Sequence, residues 1–349
     1  MTTSDVSEAG KVDVMEVLKK EGKLISDETI AYLEKEKDRL LKTMMLDYPY
    51  RGGKHLRSVL CVKSCEAFGG NKEDVINTAI AFELFQHWIL IHDDIEDYSE
   101  ERRGKPALHK IYGMPLANNA GDALHIRMWE VLLRNREKFG AAKTFKILNE
   151  FIEMGKRCTD GQSIEIEWVE NKRWDMTEND YYHMAALKTA NYTFTFPFRV
   201  GALIAGATNK QLKASFSVGE KIGIAFQIQD DVLNLVGDNE KYGKELGGDL
   251  WEGKRTLMLI HLINHCSPEE KTKLLSIMNK RREEKTETEI KYILGLMSKY
   301  KSIEYAKLKA IELAKAAKEE FEREFSFLNE TEAKEFIRGL VDFVITRDL

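Results

Sequence analysis

Two mostly apolar runs of this chain, Ala81–Ile91 and Ile222–Ile228, each end abruptly in a cluster of acidic and amide residues. No stretch alternates β-branched and polar residues in the way a strand requires. Long segments rich in Ala, Leu, Glu and Lys favour helix, and 5 prolines and 23 glycines leave few breaks. The pattern predicts an all-α fold, with helices over about 26–45, 54–68, 72–98, 115–139, 142–169, 178–190, 192–207 and 211–237. Four more are expected to fill 255–347. Thr177 with Asp180 three residues on has the form of a capping box. From Lys280 to Glu324 charges alternate at helical spacing, which reads as a solvated helix face. Between helices lie three glycine-bearing polar connections: Tyr48–Gly53, Ser99–Gly113 and Asp238–Lys254.

The chain has 349 residues, 43% of them hydrophobic, enough for a large core. No Ser/Pro/Gly linker divides it. One domain is expected over 11–349, behind a disordered N-terminus at 1–10. A net charge of −5 gives no general case for nucleic acid or an acidic membrane surface. The start of the chain lacks a basic-then-apolar leader, and no run approaches the roughly 20 apolar residues of a membrane span. Cys61, Cys65, Cys158 and Cys266 read as free thiols in a reducing cytosol rather than as a zinc site.

The acidic clusters carry the chemistry. The first is His92-Asp93-Asp94-Ile95-Glu96-Asp97 and the second Gln229-Asp230-Asp231-Val232-Leu233-Asn234. On a helix, Asp93 and Asp97 are one turn apart on one face, and Asp230 and Asn234 repeat that geometry. Packed carboxylates repel and resist burial. Hard oxygen donors without a nucleus of His or Cys point to Mg²⁺ bridged to phosphates. Basic, glycine-bearing segments match that reading: Arg51-Gly52-Gly53-Lys54-His55-Leu56-Arg57, Arg102-Arg103-Gly104-Lys105, Lys188-Thr189, and Lys244 and Lys254. Glycine admits close backbone approach to an anion, Arg grips phosphate bidentately and Lys supplies a point charge. A site for diphosphates and Mg²⁺ is expected.

These motifs resemble those of the trans-prenyl diphosphate synthases, the polyprenyl synthetase family. The first Asp-rich motif is Asp93-Asp94-Ile95-Glu96-Asp97 and the second Asp230-Asp231-Val232-Leu233-Asn234. Gly52-Gly53-Lys54-His55-Leu56-Arg57, Gly161-Gln162 and Lys188-Thr189 fall in family order with them. The resemblance implies a single-domain bundle of antiparallel helices around a central cavity. It implies head-to-tail condensation of isopentenyl diphosphate with an allylic diphosphate, in a cytoplasmic homodimer.

Residue roles follow from the same resemblance. Asp93, Asp97 and Asp230 would ligate Mg²⁺, with Asp94, Asp231 and Asn234 supporting that shell. Arg102, Lys188, Lys244 and Lys254 would hold the allylic diphosphate. Lys54, Arg57, Arg103 and Gln86 would hold isopentenyl diphosphate, and Thr189 and Gln227 would lie near the reacting carbons. No protein base is required, because the released diphosphate can take the proton. Three departures stand out: His55 and Ser58 replace a basic residue and a proline, Asn234 replaces a third Asp, and Glu165 stands where the mid-chain motif has Asp. A terpene cyclase would lack the Gly-Gly-Lys-x-x-Arg segment, and a non-catalytic partner subunit typically lacks one Asp-rich motif. For product length, Trp88 lies five residues before Asp93 and Ile89 four. One aromatic at these positions and an uninserted first motif resemble archaeal-type geranylgeranyl diphosphate (C20) synthases, ahead of C15 and C25.

Overall fold

The computed structural model describes residues 12–236 and 247–346. The expected disorder at 1–10 lies outside these residues, as do Gly237, Asp238, Gly243 and Lys244. The expected all-α architecture is what is observed; among the described residues the sole sheet is a hairpin of two-residue strands, β1 (Glu101–Arg102) and β2 (Lys105–Pro106).

The described residues begin with α1 (Val14–Leu33) and α2 (Arg39–Tyr50), where a single helix over 26–45 was expected. The polar run Glu34–Lys37 ends the first, and Asp38 starts the second by accepting the Leu41 amide at 2.7 Å. Helices α3 (Leu56–Ala67) and α4 (Ile76–Glu96) follow, then α5 (Leu108–Tyr112), α6 (Met114–Leu133) and α7 (Asn135–Glu170). Gly140, at φ 69°, interrupts α7 close to the expected break. The predicted capping box of Thr177 and Asp180 opens α8 (Glu178–Ala185). Instead of stopping near 190, the helix runs on as a π-helical segment (Ala186–Thr195) into α9 (Phe196–Ile204). Helices α10 (Asn209–Val236) and α11 (Gly248–Glu252) lie on either side of residues 237–246 in the sequence.

The C-terminal part holds five helices rather than four: α12 (Leu257–His265), α13 (Pro268–Met278), α14 (Glu287–Lys299), α15 (Ser302–Glu324) and α16 (Glu332–Thr346). Two capping boxes, Ser267 with Glu270 and Thr286 with Glu289, make the extra division.

The packing explains the two apolar runs. Residues 78–85 of α4 are buried on every face, because α3 lies on one side and α6 on another. Helix α10 is likewise held between α15 and the π segment. A helix enclosed in this way needs no apolar stripe, which is why both runs read as nearly continuous. The acidic ends of α4 and α10 therefore emerge from the core together. No helix among the described residues is long and apolar enough to cross a membrane. The four cysteines are free thiols, three of them buried.

Candidate functional site

A cavity of about 670 Å³ opens where α4, α7, α10 and the π segment meet. Both acidic clusters reach it: Asp93 from α4, Asp230 and Asp231 from α10. So do Arg57, Gln86, Arg102, Arg103, Lys188, Thr189, Gln227 and Lys254, residues spread over nearly 200 positions of sequence. Trp88 and Ile89 also line the wall.

The π segment places Lys188 and Thr189. A π turn widens the helix and commonly marks a functional site. Two glycines let neighbouring helices press against it: a Cβ on Gly161 of α7 would lie 2.3 Å from the Lys188 amide nitrogen, and one on Gly223 of α10 would lie 2.3 Å from the Ala190 Cα. The Gly161-Gln162 motif is thus explained by backbone approach at its first residue. Its second, Gln162, donates to Glu96 at 2.6 Å, tying α7 to the end of α4.

The cations sit among carboxylates. Lys188 lies 3.3 Å from Asp93 and pairs with Glu165. Burial works against the Lys188 charge, but Glu165 and Asp93 outweigh it and hold the ammonium well above the usual lysine range. Glu165, the departure from the mid-chain motif, is the partner of the Lys188 ammonium. Lys254 reaches Asp97 at 2.7 Å, Glu252 at 3.0 Å and Asp249 at 3.8 Å. Burial opposes its charge too, and these carboxylates again raise its pKa. One ammonium does not balance them: burial pushes the Asp97 carboxyl up to about 7, with Asp93 and Glu252 adding to the effect. Asp231 is pushed well above the usual carboxylate range, first by burial and then by Asp249. Such groups await a cation. Among the described residues no three His, Cys, Asp or Glu groups converge on one point, so an ion here would complete its shell with ligand oxygens and water.

Two residues expected to support the metal shell do different work. Asp94 is fully buried, receives both Arg102 Nε contacts at 2.9 and 3.1 Å and accepts from the Tyr48 hydroxyl. It anchors Arg102, whose guanidinium also meets Asp93 at 3.3 Å. Asn234 spends its side-chain oxygen on the Asp249 amide at 3.0 Å, at the start of α11. An amide oxygen serves as well as a carboxylate there, so the missing third Asp removes nothing from the cavity wall. Asp231 is held by Tyr181 at 2.7 Å and by Gln227 at 2.6 Å, while Thr189 donates to Gln227 at 2.5 Å.

The remaining basic residues divide. Arg57 donates to Thr193 at 2.8 Å and stacks 4.2 Å from the Tyr192 ring centroid. Arg103 donates to the backbone oxygens of Tyr48 and Gly52, and burial lowers its pKa to about 10. Lys54 is exposed, its ammonium 5.9 Å from the Phe343 ring centroid, and is not among the residues that line the cavity. Asp249 and Glu252 were missed as site residues. Their signal was Lys254 following six residues after the Gly247-Gly248 pair, but only the fold of α11 turns both acids toward it.

Fold and site together define a helical enzyme with two acidic helix ends facing a cavity of about 670 Å³ lined by arginines and lysines. The chain belongs to the polyprenyl synthetase family, whose model matches residues 38–297, and it is a prenyltransferase that joins isoprenyl diphosphates head to tail. It is similar to a short chain isoprenyl diphosphate synthase of Methanothermobacter thermautotrophicus, 32% identical over 345 residues, covering 97% of this chain and 99% of the relative. It is also similar to a geranylgeranyl diphosphate synthase of Sulfolobus acidocaldarius, 32% identical over 301 residues, with 85% and 87% covered. Among solved structures, a geranylgeranyl pyrophosphate synthetase from Pyrococcus horikoshii aligns over 96% of this chain and 98% of its own, with a TM-score of 0.84 and 31% identity.

Proposed function

We propose that this enzyme makes geranylgeranyl diphosphate, C20, from isopentenyl diphosphate and shorter allylic diphosphates, as a cytoplasmic homodimer that uses Mg²⁺. The observation that carries the C20 reading is the position of Trp88. It lies on the cavity wall five residues before Asp93, about 7.5 Å along the helix axis. An indole there stops a growing chain after few additions.

Asp93, Asp97 and Asp230 hold the ions: Asp93 and Asp230 line the cavity, and Asp93 and Glu252 crowd the Asp97 carboxyl beside it. Bound there, magnesium would neutralise the allylic diphosphate and make it a good leaving group. Arg102, Lys188, Lys254 and Lys244 grip that diphosphate as the allylic C–O bond breaks and its electron pair leaves with the phosphate oxygen. Gln227 and Thr189 present oxygen dipoles to the allylic cation. Arg57, Arg103, Gln86 and Lys54 hold isopentenyl diphosphate so that its double bond attacks the cation. The released diphosphate then accepts the proton lost from the new bond's neighbour. Tyr192 and Phe226 help exclude water, which would quench the cation.

Chain-length analysis of the dephosphorylated products tests this reading. Purified protein given Mg²⁺, isopentenyl diphosphate and dimethylallyl diphosphate should release mainly geranylgeraniol. Farnesol or a C25 alcohol as main product would move the floor away from Trp88, and no product at all would remove the catalytic reading.

A further inference from the structure

Glu83 is a buried carboxylate to which the reaction just described gives no task. It lies ten residues before Asp93, 4% exposed, beneath the segment that carries Lys54 and Arg57. One carboxylate oxygen meets His55 Nδ1 at 2.8 Å and the other accepts from the Ser58 hydroxyl at 2.5 Å. His87 Nε2 stands 4.0 Å away. Burial alone would raise the Glu83 pKa, but His55, His87 and Ser58 outweigh it and bring it down to about 2, so the carboxylate is ionised. Burial, with Arg103 next, drives His87 down to about 3.

His55 and Ser58 are the two positions at which the segment around Lys54 and Arg57 departs from the family pattern, and both turn toward Glu83. His55 is the residue before α3 and takes a left-handed backbone, φ 51° and ψ 30°, without capping the helix by its side chain. A non-glycine residue persists in that conformation only where its surroundings hold it. Glu83 supplies the hold from one side. From the other, Arg103 fixes the same loop through the Gly52 carbonyl. Arg57 and Arg103 face one cavity and oppose each other's charge, and Glu83 lies close enough to favour the Arg103 guanidinium.

We propose that Glu83 is a positioning residue for isopentenyl diphosphate: through His55 and Ser58 it sets the first turn of α3, and as a counter-charge it lets Arg57 and Arg103 share one diphosphate. This rests on the assignment of that diphosphate to Arg57 and Arg103 made above.

Steady-state kinetics with each substrate varied in turn, together with calorimetric titration of isopentenyl diphosphate, test it. Glu83→Gln keeps the shape and one hydrogen bond but removes the charge. It should raise the KM and Kd for isopentenyl diphosphate on the order of tenfold, the effect of one charge-assisted hydrogen bond. The allylic KM should stay within about twofold of wild type, since that diphosphate faces other cations. Should Glu83→Gln fail to fold, Ser58→Ala removes one partner alone and should show the same bias more weakly. His55→Ala should show it too, and His55→Gln, which restores a donor, should recover part of the affinity. A folded Glu83→Gln enzyme with wild-type affinity for isopentenyl diphosphate, or with equal losses for both substrates, overturns the inference. Wild-type protein that binds no isopentenyl diphosphate instead overturns the assignment beneath it.

Discussion

Replacing Trp88 by alanine should lengthen the product. The indole stacks on His125 of α6 with centroids 3.9 Å apart and 12° between planes, and meets Phe85 edge-on at 5.2 Å. His125 is in turn fixed by the Trp129 indole, which donates to its Nε2 at 2.9 Å. The floor is thus backed by a second helix, and it cannot swing aside without disturbing α6. Truncating a fully buried Trp costs about 3–5 kcal/mol. Trp88 is only half-buried, and its Nε1 is enclosed without a partner among the described residues, a penalty of about 1–3 kcal/mol that the substitution relieves. The net loss should be about 1–3 kcal/mol, which a domain of ordinary stability, about 5–15 kcal/mol, survives. The variant should therefore fold, melt at a lower temperature and release products of C25 and longer, read by mass analysis after dephosphorylation. An unchanged C20 profile from folded Trp88→Ala protein would refute the argument and place the floor on another helix.

Other outcomes follow from the same geometry. Asp93→Ala and Asp230→Ala should each lower turnover by a factor on the order of 10³ or more while circular dichroism stays helical, because each removes a donor from the cation site; near-wild-type rates with Mg²⁺ would contradict this. Arg103→Gln should mainly affect KM for isopentenyl diphosphate and Lys188→Gln that for the allylic substrate, and identical kinetic profiles would end that division. Asp97 has a folded pKa of about 7, raised above its ordinary value of 3.8. Its contribution to stability is therefore present at low pH and lost as pH climbs from about 4 through 7. Added Mg²⁺ should then raise Tm more at pH 8 than at pH 5, and a pH-independent gain in thermal melts would argue against the crowded carboxylates as its site. Asn234→Ala should weaken the start of α11 by about 1 kcal/mol and reduce activity without abolishing it; full loss would return Asn234 to the metal shell.

Much of the fold was legible because its signals are local. The Thr177 capping box and the break near Gly140 both follow from neighbouring residues. The errors were of the same kind in reverse. The Ser267 and Thr286 capping boxes were written in the sequence and overlooked, and the stop at Glu34–Lys37 was hidden in a run whose polar residues suit either a helix or its end. The continuous π segment could not be read, because what permits it is the approach of Gly161 and Gly223 from two other helices.

The sequence by itself determined the class of chemistry. A helix turns once in 3.6 residues, so Asp93 and Asp97 share a face whatever else the chain does. Oxygen donors beside arginines and lysines then restrict the ligand to a cation and a phosphate. What the tertiary structure alone decided is which of these groups face one another. Adjacent acids on a helix point about 100° apart, so when Asp93 faces the cavity Asp94 must turn toward Tyr48 and Arg102. The rotation of each helix about its own axis is set by packing across the core. That packing brings Lys188 to Glu165, Lys254 to Asp97 and Glu83 to His55, pairs separated by 23, 157 and 28 residues, which no local pattern in the chain connects.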